Sequence, residues 1–133
     1  MMKVENPEKA AKALREAADL YDINFGWCQN AAMTMQDGVT CFCASEAIRI
    51  AVSPEIANQE RWIRAEWEDA LVAFANYLES KGYWTAVGTD VPDFDRRYNF
   101  GWSTTVGFND VDGRTMYTVQ TELRAAADAL EGR

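Results

Sequence analysis

The chain of 133 residues contains no histidine. This absence excludes Ser-His-Asp triads and Cys-His dyads, and it excludes the metal sites that need imidazole ligands. The side chain that most often transfers protons near pH 7 is also missing. Acid–base catalysis would therefore need a carboxylate, lysine, thiol or phenol with a shifted pKa. On this basis the sequence assigns no catalytic residue.

Long apolar runs are absent as well. No stretch approaches the roughly 20 apolar residues that span a bilayer. Residues 1–30 also lack the charged start and apolar centre of a signal peptide. We therefore expect a cytoplasmic protein with no membrane association. With 48% hydrophobic and 26% charged residues, the composition is that of a globular protein, and the length predicts a single domain over residues 1–133.

Basic residues are scarce, since 13 Lys and Arg stand against 21 Asp and Glu, for a net charge of −8. Binding to a phosphate backbone needs clustered cations, whereas these are scattered, so we expect no nucleic-acid partner. An acidic protein could instead imitate DNA. Arg61 and Arg64, however, interrupt the acidic residues around them, so a solubilising surface charge is the simpler interpretation.

The few cysteines lie close together, at Cys28, Cys41 and Cys43. Cys41 and Cys43 do not have the Cys-x-x-Cys spacing, and three thiols leave a zinc ion one ligand short. A reducing cytoplasm also disfavours a disulfide. We expect three free structural thiols, no bound metal and no cofactor. A redox, nucleophilic or metal-binding role for the thiols is the alternative.

Apolar periodicity predicts about four helices. Asn6 and Pro7 are typical of a helix start, and this first helix should end near residues 22–24. A nearly buried helix is expected within residues 41–52, although residues 39–42 could equally form a strand. Thr115 should cap a closing helix. A long helix over residues 59–80 is predicted by its apolar stripe, which comprises Ile63, Trp67, Leu71, Phe74 and Leu78.

Alternating residues predict a small antiparallel sheet. Residues 27–40 should form a hairpin that turns at Asp37 and Gly38, and residues 102–108 should form a further strand. The tetrapeptide Asn-Phe-Gly-Trp occurs at residues 24–27 and 99–102, where we expect each Gly-Trp to begin a strand and place its indole on the core. The predicted class is a single α+β domain, mostly helical.

The segment over residues 82–101 has no clear periodicity. Its aromatic residues alternate with glycine, proline and the carboxylates Asp90, Asp93 and Asp95. Irregular loops of this length are uncommon in compact domains and are often functional. Two interpretations remain open: the aromatic side chains cover the core from outside, or the loop binds a small ligand such as a nucleotide derivative.

Four residues form the candidate binding site, namely Trp27, Gln29, Asn109 and Asp110. The polar groups lie beside the aromatic residues Trp27 and Phe108, where they must be satisfied by the fold or by a ligand. We expect the four to meet at one end of the sheet as a shallow polar pocket or partner surface, with Asp93 and Asp95 nearby. The alternative is that Asn109 and Asp110 only shape the turn before the last helix.

Three segments together resemble a family of small uncharacterised proteins of bacteriophages and high-GC Gram-positive bacteria. They are residues 26–29 (Gly-Trp-Cys-Gln), residues 41–44 (Cys-Phe-Cys-Ala), and residues 108–110 followed by Gly-Arg-Thr at 113–115. The resemblance covers residues 10–52 and 102–131. The chain departs from the pattern at Ser45-Glu46, Phe108 and Thr118, where the family tends to have Gly-Ala, tryptophan and glutamate.

The resemblance implies a phage-type accessory protein in the cytoplasm of a bacterial host, and it implies no particular activity. We expect a non-enzymatic binder of a host protein, acting in host takeover or counter-defence. The first alternative is a small-ligand or nucleotide-derivative binder that uses residues 82–101. The second is an enzyme that uses a thiol or carboxylate. The sequence leaves a homo-oligomer open.

Overall fold

The computed structural model describes residues 1–23, 25–53, 61–83 and 96–133, without the side chains of residues 61–63. Within these ranges the chain forms five helices and three short strands. In chain order they are α1 (Pro7–Ile23), β1 (Gly26–Trp27), β2 (Met33–Gln36), β3 (Val39–Phe42), α2 (Ala44–Val52), α3 (Arg61–Ser80), α4 (Arg96–Asn109) and α5 (Met116–Leu130). The predicted α+β class with mostly helical content is confirmed, with five helices where about four were expected.

Local capping explains where the terminal helices begin. At α1, the side-chain oxygen of Asn6 accepts the backbone N–H of Lys9 at 3.2 Å. At α5, Thr115 Oγ1 accepts the N–H of Thr118 at 3.2 Å. Each bond satisfies one of the amides that a helix start leaves without an intrahelical partner. Both predicted helix starts are confirmed.

The sheet has the strand order β1-β3-β2. β2 and β3 form the predicted hairpin, with Met33 opposite Phe42, but it spans residues 33–42 where residues 27–40 were expected. Asp37 and Gly38 both adopt positive φ, 52° and 78°, as a two-residue turn of type I′ requires. β1, however, pairs with β3 in parallel, so the sheet is mixed and the expectation of a purely antiparallel sheet was wrong. Asn30, at φ 61°, lies in the bend that separates β1 from β2.

The strand predicted for residues 102–108 is instead part of α4, so that prediction was wrong. Aromatic and β-branched residues favour strands only weakly, and packing overrides them here. Gly101 is buried against α3, where an added Cβ would lie 2.8 Å from Leu71 Cβ and 2.9 Å from Val72 N. The absent side chain therefore allows the two helices to approach closely. Only the first Gly-Trp pair, in β1, begins a strand as expected. The second pair lies within α4, and its Trp102 is 40% exposed.

The core lies between the five described helices. Leu14, Phe74, Phe108 and Leu123 are fully buried, and the rings of Phe74 and Phe108 meet edge to face at 5.7 Å. The predicted stripe of α3 is confirmed for its buried members Leu71, Phe74 and Leu78. The side chain of Ile63 lies outside the described part of the chain. Trp67 is only partly buried, because it lies at the edge of the core and its Nε1 donates to the carbonyl of Ser45 at 3.0 Å.

The N-terminal segment is held against α3 by two buried polar side chains. Asp69 accepts the backbone N–H groups of Glu5 at 2.7 Å and Asn6 at 2.9 Å. Asn76 accepts from Met2 N at 3.2 Å and donates to Met2 O at 2.7 Å. Sequence patterns did not predict these contacts, because each joins residues more than 60 positions apart.

None of the described helices is long and apolar enough to cross a membrane. The loop predicted over residues 82–101 is described only at its ends, up to Tyr83 and from Arg96. Asp90, Asp93 and Asp95 are therefore not placed. Residues 96–101 form the start of α4, so the loop prediction was wrong there.

Candidate functional site

Asn109, the last residue of α4, is completely buried and its side-chain amide makes four hydrogen bonds. Its Oδ1 accepts from Trp27 Nε1 at 2.6 Å and from the backbone N–H of Ala44 at 2.9 Å. Its Nδ2 donates to the carbonyl of Cys28 at 3.0 Å and to Asp110 Oδ1 at 3.0 Å. An asparagine side chain has two donors and two acceptor positions, so this amide is fully used within the protein.

The bond to Ala44 compensates for a missing helix cap. Cys43 occupies the N-cap position of α2 and makes no side-chain capping bond. Asn109 Oδ1 instead accepts the N–H of Ala44, the first residue of that helix. The end of α4 therefore caps the beginning of α2, across 65 residues of sequence.

Gln29 and Asp110 lie beside Asn109 and Trp27, and we call these four residues the polar cluster. Gln29 Nε2 donates to the carbonyls of Asn109 at 3.0 Å and Val111 at 2.8 Å, which satisfies acceptors at the C-terminal end of α4 and in the turn that follows it. Asp110 Oδ1 accepts the backbone N–H of Asn30 at 2.9 Å. Among the described residues, Asp110 Oδ2 accepts no hydrogen bond.

The structure therefore brings Trp27, Gln29, Asn109 and Asp110 together at one end of the sheet. Their hydrogen bonds join β1, the bend after it, the start of α2 and the end of α4. Most of their polar groups are occupied by partners within the chain, so the cluster acts as a structural joint. Asp93 and Asp95, which were expected nearby, lie outside the described residues.

All three cysteines are free and buried. Burial, with smaller contributions from the neighbouring thiols of Cys43 and Cys41, raises the pKa of Cys28 to about 11. At pH 7 Cys28 is therefore almost entirely the thiol form, which is a weak nucleophile. In the described part of the chain, no three Cys, Asp or Glu side chains come close enough together to hold a metal ion.

A shallow groove of about 350 Å³ lies beside the polar cluster. Trp102, Val106 and Asp110 form one wall at intervals of four residues, which places them on one face of α4 and its continuation. The other wall is formed by the bend before β2 and the start of α2, through Asn30, Ala31, Ala32, Cys43 and Ser45. The groove is mostly apolar, and the Asp110 carboxylate is its charged group.

The hairpin presents a second apolar surface. Met33 and Met35 are 56% and 64% exposed, and Val39 is exposed as well. Because residues two apart on a strand share a face, the two methionine side chains lie on the same face of the sheet. Thr40 Oγ1, opposite Met35, donates to Met35 Sδ at 3.3 Å. We call Met33, Met35 and the backbone of β2 between them the edge surface.

Sequence comparison places the whole arrangement in a family. A model described as "Family of unknown function (DUF6197)" matches residues 5–129, which include the polar cluster, the groove and the hairpin. The chain belongs to that family. No match was found among curated proteins or among solved structures. Membership of DUF6197 identifies a shared domain and assigns it no activity.

Sequence reasoning found the polar cluster and missed the two surfaces around it. The predicted strand over residues 102–108 gives no indication that Trp102, Val106 and Asp110 share one face of a helix. Met33 and Met35 were included in the alternating hairpin pattern. That pattern alone does not show that β2 lies at the sheet edge, which depends on β1 pairing with β3.

Proposed function

We propose that this DUF6197 protein is a non-enzymatic binding protein whose partner is another protein, bound at the edge surface. The observation that carries the proposal is the exposure of Met33 and Met35 on a strand at the edge of the sheet. Flexible, polarisable methionine side chains are favoured on surfaces that bind protein partners. Exposed apolar groups on an edge strand are otherwise a liability that promotes aggregation.

The chemistry of the interior supports a binding role over catalysis. Most of the polar groups of the cluster are occupied by internal hydrogen bonds, and burial raises the pKa of Cys28 to about 11. A catalytic site needs a nucleophile or a proton-transferring group that can reach a substrate, and neither the hydrogen-bonded amides nor the Cys28 thiol provides one. The resemblance to small phage proteins favours a protein of a bacterial host as the partner.

Affinity capture tests this proposal. The wild-type protein, immobilised and exposed to bacterial lysate, should retain a specific protein, and the purified pair should bind measurably by calorimetry. Met33→Lys combined with Met35→Lys should weaken that binding at least about tenfold, because each buried methionine contributes roughly 1.5–3 kcal/mol. Tyr117→Lys is the matched control, since Tyr117 is a 77% exposed apolar residue on α5. Equal loss in both variants, or no retained protein, would contradict the proposal.

A second candidate function is small-ligand binding in the groove beside Asp110. Its volume of about 350 Å³ lies within the range of small-molecule sites, and Trp102 offers a half-exposed aromatic ring for stacking. Native mass spectrometry of protein purified from cells tests this candidate. A small molecule that is retained by the wild-type protein and not by the Trp102→Ala variant would support it.

A further inference from the structure

The direction of the backbone groups on β2 is fixed by its pairing with β3. In an antiparallel pair, residues alternate between those that bond to the neighbouring strand and those that point away. Cys43 N donates to Ala32 O at 3.0 Å, and Ala32 lies one residue before Met33 in the same register. Ala32, Thr34 and Gln36 therefore bond inward, whereas the N–H and C=O groups of Met33 and Met35 point outward.

Those outward N–H and C=O groups are available to pair with an additional strand. Along the outer edge of β2 no strand of the described chain is paired, and residues 33–36 contain neither a charged residue nor proline. Natural proteins commonly protect an exposed edge with such residues. β2 thus combines the outward backbone groups of Met33 and Met35 with two exposed methionine side chains on one face.

The hairpin and the residues on either side of it in the sequence carry no cation. Residues 16–48 contain no Lys or Arg, and Asp37 is the single charged residue of residues 26–42. Asp37 directly follows β2. At the other end, Asp110 binds the N–H of Asn30, three residues before Met33. An acidic group therefore lies near each end of the strand, in a protein with a net charge of −8.

We infer that the partner adds an extended segment to the outer edge of β2, with apolar side chains against Met33 and Met35 and basic residues near Asp37 and Asp110. Strand addition of this kind uses backbone hydrogen bonds for affinity and alternate side chains for specificity. The inference rests on the proposed function and specifies its mode of binding. Charge complementarity selects a basic segment, whereas a second copy of this chain would bring two acidic surfaces together.

The test uses two synthetic peptides and isotope-labelled protein. The basic probe is acetyl-KVTVTVK-amide, and the matched control is acetyl-EVTVTVE-amide. NMR titration should show saturable shifts of the Met33 and Met35 amide protons with the basic peptide, and binding of the acidic peptide at least about tenfold weaker. Absence of shifts at millimolar peptide, or equal affinity for the two peptides, would overturn the inference.

A backbone variant separates strand addition from simple side-chain contact. Met35→Pro removes an N–H that points away from β3, so the hairpin bonds are retained, whereas Met35→Ala removes only the side chain. Met35→Pro should bind the basic peptide at least about tenfold more weakly than Met35→Ala. Equal binding by the two variants would overturn the inference. If the proline disturbs the hairpin, the inference is tested by the relative affinities of the wild-type protein for the two peptides.

Two further outcomes are distinguishable. If the wild-type protein captures a partner from lysate but does not bind the basic peptide, this binding mode fails and the proposed function stands. If sedimentation velocity shows a concentration-dependent dimer that Met35→Pro abolishes, then β2 pairs with a second copy of the chain, and the basic segment is overturned as the occupant.

Discussion

Replacing Asn109 by alanine tests whether the polar cluster is a structural joint. The substitution removes four hydrogen bonds and leaves the N–H of Ala44, the indole N–H of Trp27 and the carbonyl of Cys28 without that partner. A buried polar group that loses its partner costs about 1–3 kcal/mol. Partial access of water to Trp27 reduces the total. We expect a loss of about 3–5 kcal/mol in the free energy of unfolding.

The assay is urea unfolding followed by tryptophan fluorescence and circular dichroism. For a slope of about 2 kcal/mol per molar urea, the expected loss lowers the midpoint by roughly 2 M. Asn76→Ala is the matched control. Asn76 is also buried, but its side chain makes two hydrogen bonds, both to Met2 near the chain terminus, so the expected loss is about 1 kcal/mol. A midpoint for Asn109→Ala within about 0.3 M of the wild-type value would refute the reasoning.

Three further predictions concern packing and the thiols. Gly101→Ala should lower the free energy of unfolding by about 1–2 kcal/mol in a denaturant titration, because overpacking against α3 outweighs the gain in helix propensity; an increase in stability would contradict the close approach. Thiol titration should detect Cys28, Cys41 and Cys43 only after denaturation, since all three are buried and free; fast reaction of the native protein would show an accessible thiol. Because the pKa of Cys28 is raised from 9.0 to about 11 in the folded state, the unfolded state loses this proton first, and the free energy of unfolding should fall between pH 9 and about 11. Cys28→Ala should reduce that fall, and an unchanged pH profile would be evidence against the raised pKa.

Local signals in the sequence predicted the helix starts and the hairpin turn. Asn6 and Thr115 act within their own first helical turns, and Asp37-Gly38 needs only its own backbone preference to form a tight turn. The stripe of α3 was similarly readable, because burial of one helical face imposes a regular spacing. These features depend on interactions between residues close in sequence.

The parts that the sequence did not predict depend on distant partners. Residues 102–108 have side chains that suit a strand, and only the packing of Gly101 against Leu71 shows why they are helical. The parallel pairing of β1 with β3 likewise has no local signal. It determines that β2, and hence Met33 and Met35, lies at the edge of the sheet.

The sequence predicted where the candidate site lies, but it did not predict what the site does. Polar residues placed beside aromatic residues indicated that the site residues meet. In the structure they do, and they are Trp27, Gln29, Asn109 and Asp110. Their bonds, however, are made largely with backbone groups of the bend after β1, of α2 and of the turn after α4. Backbone groups are the same at every residue, so the sequence does not show which side chains they bind. Only the fold shows which side-chain groups remain to bind a partner.

Amide hydrogen exchange of the captured complex tests the central claim most directly. The protein alone and the protein with its captured partner are exchanged in parallel and compared by mass spectrometry, peptide by peptide. The account predicts that partner binding slows exchange in the peptide that contains residues 33–36, because outward-facing amides of β2 become hydrogen-bonded. Unchanged exchange in that peptide, with protection elsewhere on the protein, would contradict binding at the edge surface.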